Sequence, residues 1–377
     1  MAEYKDFLDL FSDENDMDYN YTDPIYVVDK LVNLCATADV NRFGAKFTPI
    51  LYTINFLLSI IGNGLVLCIM YKYEKLTSIT NIFLLNLVIS DLLFASSLPF
   101  WALYHLYGWI FDSVMCKLVG SLYFIGFYSS ILFLTLMTFD RYLAVVHAIN
   151  APKWRRKIYA CVSSAVVWCI SLLASVKELV LYNVREDPRD GYLCEETGFS
   201  NAVMIKWQLV GYYQQFVIFF LFPLAMVMYC YVRITVRIMS TQMRGKCRAV
   251  KLIFVIIFTF FVCWTPYNVV ILLRALQIST SDDSEPCSEV LNHAVYVTRN
   301  IAYLYCCVSP VFYTFVGKKF QSHFWQLLAK RIPCLKRHIM TSQSGNSRIT
   351  SQKSPHTMYE YEKGTGLQAR AQVPVPI

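Results

Sequence analysis

Apolar residues in this chain are bunched into runs of about 20, the length needed to cross a roughly 30 Å hydrocarbon core, and polar and charged residues gather between the runs. The runs fall at 48–70, 81–103, 118–146, 160–181, 210–233, 252–276 and 290–316. Several hold an interior Pro or Gly. A spanning helix satisfies its own backbone groups and its neighbours repair a kink, so this argues for helices over barrel strands. The pattern predicts an all-α membrane protein, a seven-transmembrane helix bundle whose termini lie on opposite sides of the bilayer.

Charge gives the bundle a direction, because cytoplasmic loops keep an excess of Lys and Arg. Lys72 and Lys75 follow the first run, Lys153, Arg155, Arg156 and Lys157 the third, Arg233, Arg237, Arg244, Lys246, Arg248 and Lys251 the fifth, and Lys318, Lys319, Lys330 and Arg331 the seventh. Every other connection is therefore expected in the cytoplasm. The opposite side is acidic, with Glu3, Asp6, Asp9, Asp13, Glu14, Asp16, Asp18, Asp23 and Asp29 near the start and Asp282, Asp283 and Glu285 before the last run. The N-terminus is thus expected outside and the C-terminus inside, as in a multi-pass plasma-membrane protein. The first residues are acidic and lack the basic-then-apolar order of a cleavable signal peptide, so none is expected. Composition agrees: 56% of residues are hydrophobic and only 16% charged, unlike an ordinary soluble domain. The net charge of +8 sums two opposed faces and does not point to nucleic acid.

Of 13 cysteines, Cys35, Cys116, Cys194 and Cys287 fall on the outer side, where an oxidising medium lets disulfides persist. Three pairings are open to four cysteines. The expected one joins Cys116, at the outer end of the third run, to Cys194 in the second outer loop, and Cys35 to Cys287.

Polar residues inside the runs are costly in lipid and mark a functional interior or a packing contact. Asn63, Asp91, Asp140 and Arg141 qualify. Around them stand Gly62-Asn63-Gly64-Leu65-Val66, Asn86-Leu87-Val88-Ile89-Ser90-Asp91-Leu92, Asp140-Arg141-Tyr142-Leu143-Ala144-Val145-Val146-His147, Trp168, Pro223 with Tyr231, and Cys263-Trp264-Thr265-Pro266. In order and in register, these resemble the rhodopsin-like G protein-coupled receptor family over roughly residues 45 to 330. Ser97-Leu98-Pro99 before Phe100-Trp101, the segment Leu122-Tyr123-Phe124-Ile125-Gly126-Phe127-Tyr128, the second disulfide and Cys306-Cys307-Val308-Ser309-Pro310-Val311-Phe312-Tyr313-Thr314-Phe315-Val316-Gly317 resemble its chemokine-receptor subfamily. Within that subfamily, Arg299-Asn300 and Tyr73-Glu74-Lys75-Leu76-Thr77-Ser78-Ile79-Thr80-Asn81-Ile82-Phe83 are most similar to the lymphotactin (XC-type) receptor, with the CC type next. CC-type receptors usually carry Glu where Arg299 stands, and the family usually has Asn where Ser309 stands.

The resemblance implies a receptor that binds a small basic chemokine outside the cell and activates a heterotrimeric G protein, of the Gi type, inside, for chemotaxis and calcium signalling. It implies an activation switch of Asp91, Asp140, Arg141, Tyr142, Tyr231, Trp264, Pro266 and Tyr313. Arg141 would pair with Asp140 at rest and turn toward the G protein when the sixth helix moves out, a two-state equilibrium that an agonist biases. Tyr52, Trp101, Tyr123 and Arg299 match ligand-pocket positions. A guanidinium in a span needs a compensating partner. For Arg299 two readings stay open, an internal ion pair with Glu178 or an acid of the second outer loop, and a contact with the ligand's N-terminal segment.

Four parts follow from this organisation. Residues 1–46 read as an acidic extracellular arm too polar to fold alone; its Tyr19 and Tyr21 are candidates for sulfation and ligand capture, and Asn20 heads a glycosylation sequon. Residues 47–317 form the bundle. Residues 318–334 read as a short cytoplasmic amphipathic helix on membrane lipid, with Phe320, Phe324 and Leu327 at helical spacing and Cys334 a candidate for palmitoylation. Residues 335–377 are a Ser/Thr-rich tail which receptor kinases would phosphorylate for arrestin. A transporter would show internal repeats or paired broken helices, and the sequence has neither. An enzyme would need a convergent nucleophile, base or metal set; the six scattered His give none, and no metal or cofactor is expected. The nearer alternative is a chemokine-scavenging decoy receptor without G protein coupling, against which the intact Asp140-Arg141-Tyr142 argues.

Overall fold

The computed structural model describes residues 38–74, 78–148, 157–188, 191–240, 247–280, 289–316 and 322–324. Its elements are α1 (Ala38–Tyr73), α2 (Ile79–Tyr107), α3 (Ser113–Val146), α4 (Lys157–Ala174), α5 (Val176–Leu181), β1 (Tyr182–Asp187), β2 (Gly191–Glu196), α6 (Asn201–Phe216), a π-helical turn (Val217–Leu221), α7 (Phe222–Ser240), α8 (Cys247–Thr280) and α9 (Glu289–Val316). Helices α4 and α5 make one rod, as do α6, the π-turn and α7, so the described residues form seven rods. Six of these are long and apolar enough to cross a membrane. The seventh, α9, has the length at 28 residues but carries Asn292, His293, Arg299 and Asn300 along its first half.

Prolines inside α2 and α8 each remove a backbone bond without ending the helix. Before Pro99, the hydroxyls of Ser96 and Ser97 each donate to a carbonyl of the preceding turn, Leu93 and Phe94, both at 2.7 Å. Near Pro266 the Thr265 hydroxyl does the same to Phe261. Pro223 follows directly on the π-turn, whose wider winding accommodates the ring against the turn before it.

Helix α3 is the axis of the bundle and packs against α2, α4 and α7, while α9 closes the ring between α1 and α8. Gly126 sets the tightest approach: a Cβ there would lie 2.5 Å from the backbone nitrogen of Phe94. Asn86 ties α2 to α4, accepting from the Trp168 indole at 2.9 Å. Around the outside runs a band of exposed apolar side chains, among them Ile61 and Ile158, each more than 65% exposed. In water such a surface drives aggregation; in a bilayer it is the lipid face.

Two features depart from the expected layout. Helix α1 begins at Ala38, inside the segment expected to be arm, because Gly44 lets the helix lie directly against Tyr296 of α9; a Cβ would come within 2.7 Å of that ring. Hydropathy marks only the part in lipid. The second departure is an antiparallel hairpin between the fourth and fifth rods, with Tyr182 opposite Glu196 and Val184 opposite Cys194. Its strands are six residues each and too polar for a hydropathy signal. It is pinned to the top of α3 by the Cys116–Cys194 disulfide, and Trp109 donates its backbone N–H to Tyr192 at 2.8 Å. Gly108, at φ 73°, lets α2 stop there, and Asp112 caps α3 by accepting from the Met115 N–H at 2.7 Å.

The other expected disulfide, Cys35 with Cys287, lies outside the described residues, as do Tyr19, Asn20, Tyr21, Cys334 and the Ser/Thr-rich tail. Of the expected amphipathic helix only residues 322–324 are described, and they are helical.

Candidate functional site

At the disulfide end the rods part around a cavity of about 360 Å³. Tyr52, Trp101, Tyr123 and Arg299 all line it. The structure thus brings together four residues that come from α1, α2, α3 and α9. Tyr52 and Tyr123 are buried among other rings: Tyr52 stands 5.2 Å and Tyr123 5.6 Å from Tyr303, centroid to centroid. Trp101 packs edge-on to Tyr104 and Tyr182. Tyr182, on β1 and outside the spans, has its phenol pushed well up by burial, so it stays neutral.

Arg299 is a half-buried cation of this cavity, which Lys177 and Arg274 also line. Its guanidinium carbon lies 4.8 Å from the Tyr296 ring centroid, and the phenols of Tyr52, Tyr303, Tyr296 and Tyr267 surround it. Among the described residues it forms no ion pair, and its Nε makes no hydrogen bond. The carboxylates considered for it are engaged elsewhere. Glu178 lies 3.6 Å from the Lys177 ammonium, which also bonds Glu196. Glu195 accepts from Arg185 Nε at 2.7 Å, and that hydrogen bond raises the Arg185 pKa. Among the described residues, then, Arg299 meets phenols and a ring face rather than a carboxylate.

The cavity floor is aromatic. Trp264 stacks on Phe127 at 4.2 Å, with Tyr267 6.1 Å away on the cavity side and Phe260 5.9 Å away on the other. Tyr128 stacks on Phe219 of the π-turn at 3.8 Å. A group entering the cavity thus presses, through Tyr267, on a column that runs between α3 and α8 beside Pro266.

Below the floor, Ser130 donates to the buried Asp91 at 2.8 Å. At the far end, Arg141 Nη2 donates to Thr80 Oγ1 at 2.7 Å, and Thr80 Oγ1 in turn donates to Asp140 Oδ2 at 3.4 Å. One threonine hydroxyl of α2 thereby joins both members of the Asp140-Arg141 pair. The Tyr142 hydroxyl is 3.0 Å from His147 Nε2, and Tyr231 packs edge-on against Phe254 of α8 at 5.2 Å. Tyr313 lies on α9.

Sequence reading missed Thr80 as part of this latch and missed Lys177, Tyr267, Arg274 and Tyr303 as cavity residues. Tyr303 had a signal: it follows Arg299 by one helical turn and so shares its face. Thr80 had only its position at the start of the second run, on the same side of the membrane as Arg141.

A family model described as 7 transmembrane receptor (rhodopsin family) matches residues 62–313. The chain is 37% identical over 306 residues to the C-C chemokine receptor type 8 of Macaca mulatta, covering 81% of this chain and 85% of that one. It is 32% identical over 335 residues to the human C-C chemokine receptor type 4, covering 89% and 91%. To the human C-C chemokine receptor type 1 it is 37% identical over 299 residues, covering 79% and 84%. These relatives are of the CC type, whereas Arg299-Asn300 and the segment around Thr80 had placed the XC type first.

Proposed function

This chain belongs to the rhodopsin family of seven-transmembrane receptors, in its chemokine-receptor branch, and from that premise we propose that it binds a basic chemokine at the disulfide end and activates a Gi-type heterotrimeric G protein at the Arg141 end. It is a multi-pass plasma-membrane protein and not an enzyme. In this reading the disulfide end and the N-terminus face outward. The acidic arm captures the ligand by long-range attraction, the cavity receives the ligand's N-terminal segment, and receptor kinases and arrestin act on the tail.

The observation that carries the proposal is the aromatic column: a 360 Å³ cavity lined by Tyr267, which touches Trp264, which stacks on Phe127 of the helix that ends in Asp140-Arg141. Filling the cavity biases one packing of α8 against α3 over another, and differential contact of that kind is all a ligand needs to shift a two-state equilibrium. The test is nucleotide exchange on Gi in cells expressing the receptor, screened against purified chemokines. Exchange with at least one of them supports the reading. Uptake of chemokine without exchange on any G protein would replace it by the scavenging function, and no binding of any chemokine would overturn both.

A further inference from the structure

Two irregular stretches lie side by side in neighbouring rods. The π-turn Val217–Leu221 stands between α6 and α7, and Pro266 removes a backbone bond within α8. Phe220 of the π-turn is 5.9 Å from Phe261 of α8, ring centroid to centroid. On the cavity side of both, Gln215 Nε2 of α6 donates to Asn268 Oδ1 of α8 at 3.5 Å. Asn268 Nδ2 donates in turn to the Trp264 carbonyl at 2.9 Å, so one carboxamide reaches back across Pro266 and out to the neighbouring rod. Both residues are buried, and Gln215 is part of the cavity lining.

Buried amides are a costly way to hold two rods together unless their hydrogen bonds are good. At 3.5 Å the bond between these two is long, beyond the usual range of about 2.7–3.2 Å for N–H···O. Static stability therefore accounts poorly for the pair. A long bond between two rods is one that a closer approach of those rods strengthens. It has this length while the contacts of Arg141 and Asp140 with Thr80 are in place at the other end. A contact that is weak in one state and stronger in the other shifts the equilibrium between them.

We propose that Gln215 and Asn268 are positioning residues for activation. Occupation of the cavity draws α6 toward α8, the Gln215–Asn268 bond shortens, and Asn268, through its hold on the Trp264 carbonyl, sets the bend of α8 at Pro266. This rests on the receptor reading above and adds a second route from the cavity to the hinge. The aromatic column presses on the Trp264 side chain; the carboxamide pair acts on the Trp264 backbone from another rod. The pair itself need not touch the ligand, because Gln208, Gly211 and Tyr212 of the same helix also line the cavity.

The test separates binding from its transmission. Wild type, Gln215→Met, Asn268→Leu, the double variant and the exchanged pair Gln215→Asn with Asn268→Gln are compared at matched surface expression. Affinity for an activating chemokine is measured with the G protein uncoupled by excess guanine nucleotide, and potency by agonist-stimulated nucleotide exchange. Each single variant should keep its affinity within about threefold and lose about fivefold in potency, the factor that one neutral hydrogen bond supports. The double variant should lose no more than Asn268→Leu alone, because the same bond is already gone. The exchanged pair keeps the combined reach of the two side chains and should recover most of the loss. Unchanged potency in both single variants overturns the inference, as do losses that multiply. Affinity and potency falling together overturn it too, since the pair would then hold the ligand or the fold. If neither single variant reaches the surface, the exchanged pair decides: signalling near wild type supports the inference, and failure to signal or to be expressed overturns it. If no chemokine binds or activates the wild-type receptor, the reading beneath it fails, and this one with it.

Discussion

The two ends of the bundle are built to opposite rules. At the disulfide end, polar atoms are buried and left over: Arg299 Nε and Glu178 Oε2 have no hydrogen-bond partner, and the rods stand apart around a cavity. At the Arg141 end, a threonine hydroxyl joins Arg141 to Asp140, Tyr142 lies on His147, and Tyr231 is packed on Phe254. The first arrangement costs free energy until something enters. The second ties its charged groups to one another through Thr80, and those contacts must be broken for Arg141 to reach anything else. A receptor needs that asymmetry, since a ligand can shift an equilibrium only by contacts that differ between its two states.

The largest effect should come from breaking the disulfide end's frame. Cys116→Ala frees the hairpin that carries Glu195 and Glu196 and forms one side of the cavity; we expect loss of ligand binding or of surface expression altogether, read by flow cytometry and radioligand binding. Cys35→Ala should weaken binding with folding largely kept, and disulfide mapping that shows other pairings would refute both. Next, Arg141→Ala should abolish G protein activation with ligand affinity within about threefold of wild type, a change of roughly 0.65 kcal/mol or less. Full signalling from that variant would show that the two ends do not divide labour in this way. A smaller loss, about tenfold or more in agonist potency, is expected for Arg299→Glu at near-normal expression, with partial recovery by a ligand carrying a compensating basic substitution. Loss of expression without recovery would instead mean that the four phenols and Arg299 hold the bundle together. Smaller still, replacing Tyr19 and Tyr21 by Phe should lower the ligand's association rate a few-fold and flatten its dependence on salt.

How far each end could be read from sequence follows the same division. The rods were legible because lipid demands long apolar runs with every backbone group satisfied inside them. Asp140, Arg141 and Asp91 were legible because a charge in such a run stands out. Trp101, Tyr123 and Tyr52 were found through resemblance; an aromatic among 16% aromatic residues carries no signal of its own. The hairpin was not legible, because strands of six mixed polar residues owe their position to a disulfide and a few backbone hydrogen bonds. Nor was the bare oxygen of Glu178, since sequence shows that a carboxylate is present and not which of its two oxygens the neighbouring Lys177 reaches. Thr80 was hidden for the same reason: a hydroxyl at the start of a run gains its meaning only from what α3 places beside it.

Thr80 gives the smallest and sharpest test of the sealed end. Its hydroxyl accepts from Arg141 at 2.7 Å and donates to Asp140 at 3.4 Å, so Thr80→Val removes two contacts to charged groups while nearly preserving shape. A hydrogen bond to a charged partner contributes about 1.5–3 kcal/mol net, the longer one less. Only the part present at rest and absent in the signalling state counts toward the equilibrium. If that part is about 1 kcal/mol, the ratio of signalling to resting receptor rises about fivefold. A receptor with a few per cent active without ligand would then show a several-fold higher basal rate of nucleotide exchange, while the maximal response to agonist, already near saturation, would hardly change. Ligand affinity should rise slightly for an agonist, since less of its binding energy goes into breaking the latch. The measurement is basal and agonist-stimulated exchange at matched surface expression, with Thr80→Ser as the control that keeps the hydroxyl and should behave as wild type. Unchanged basal exchange in Thr80→Val would mean that the threonine bonds persist through activation, and that the restraint on Arg141 is made elsewhere at that end of the bundle.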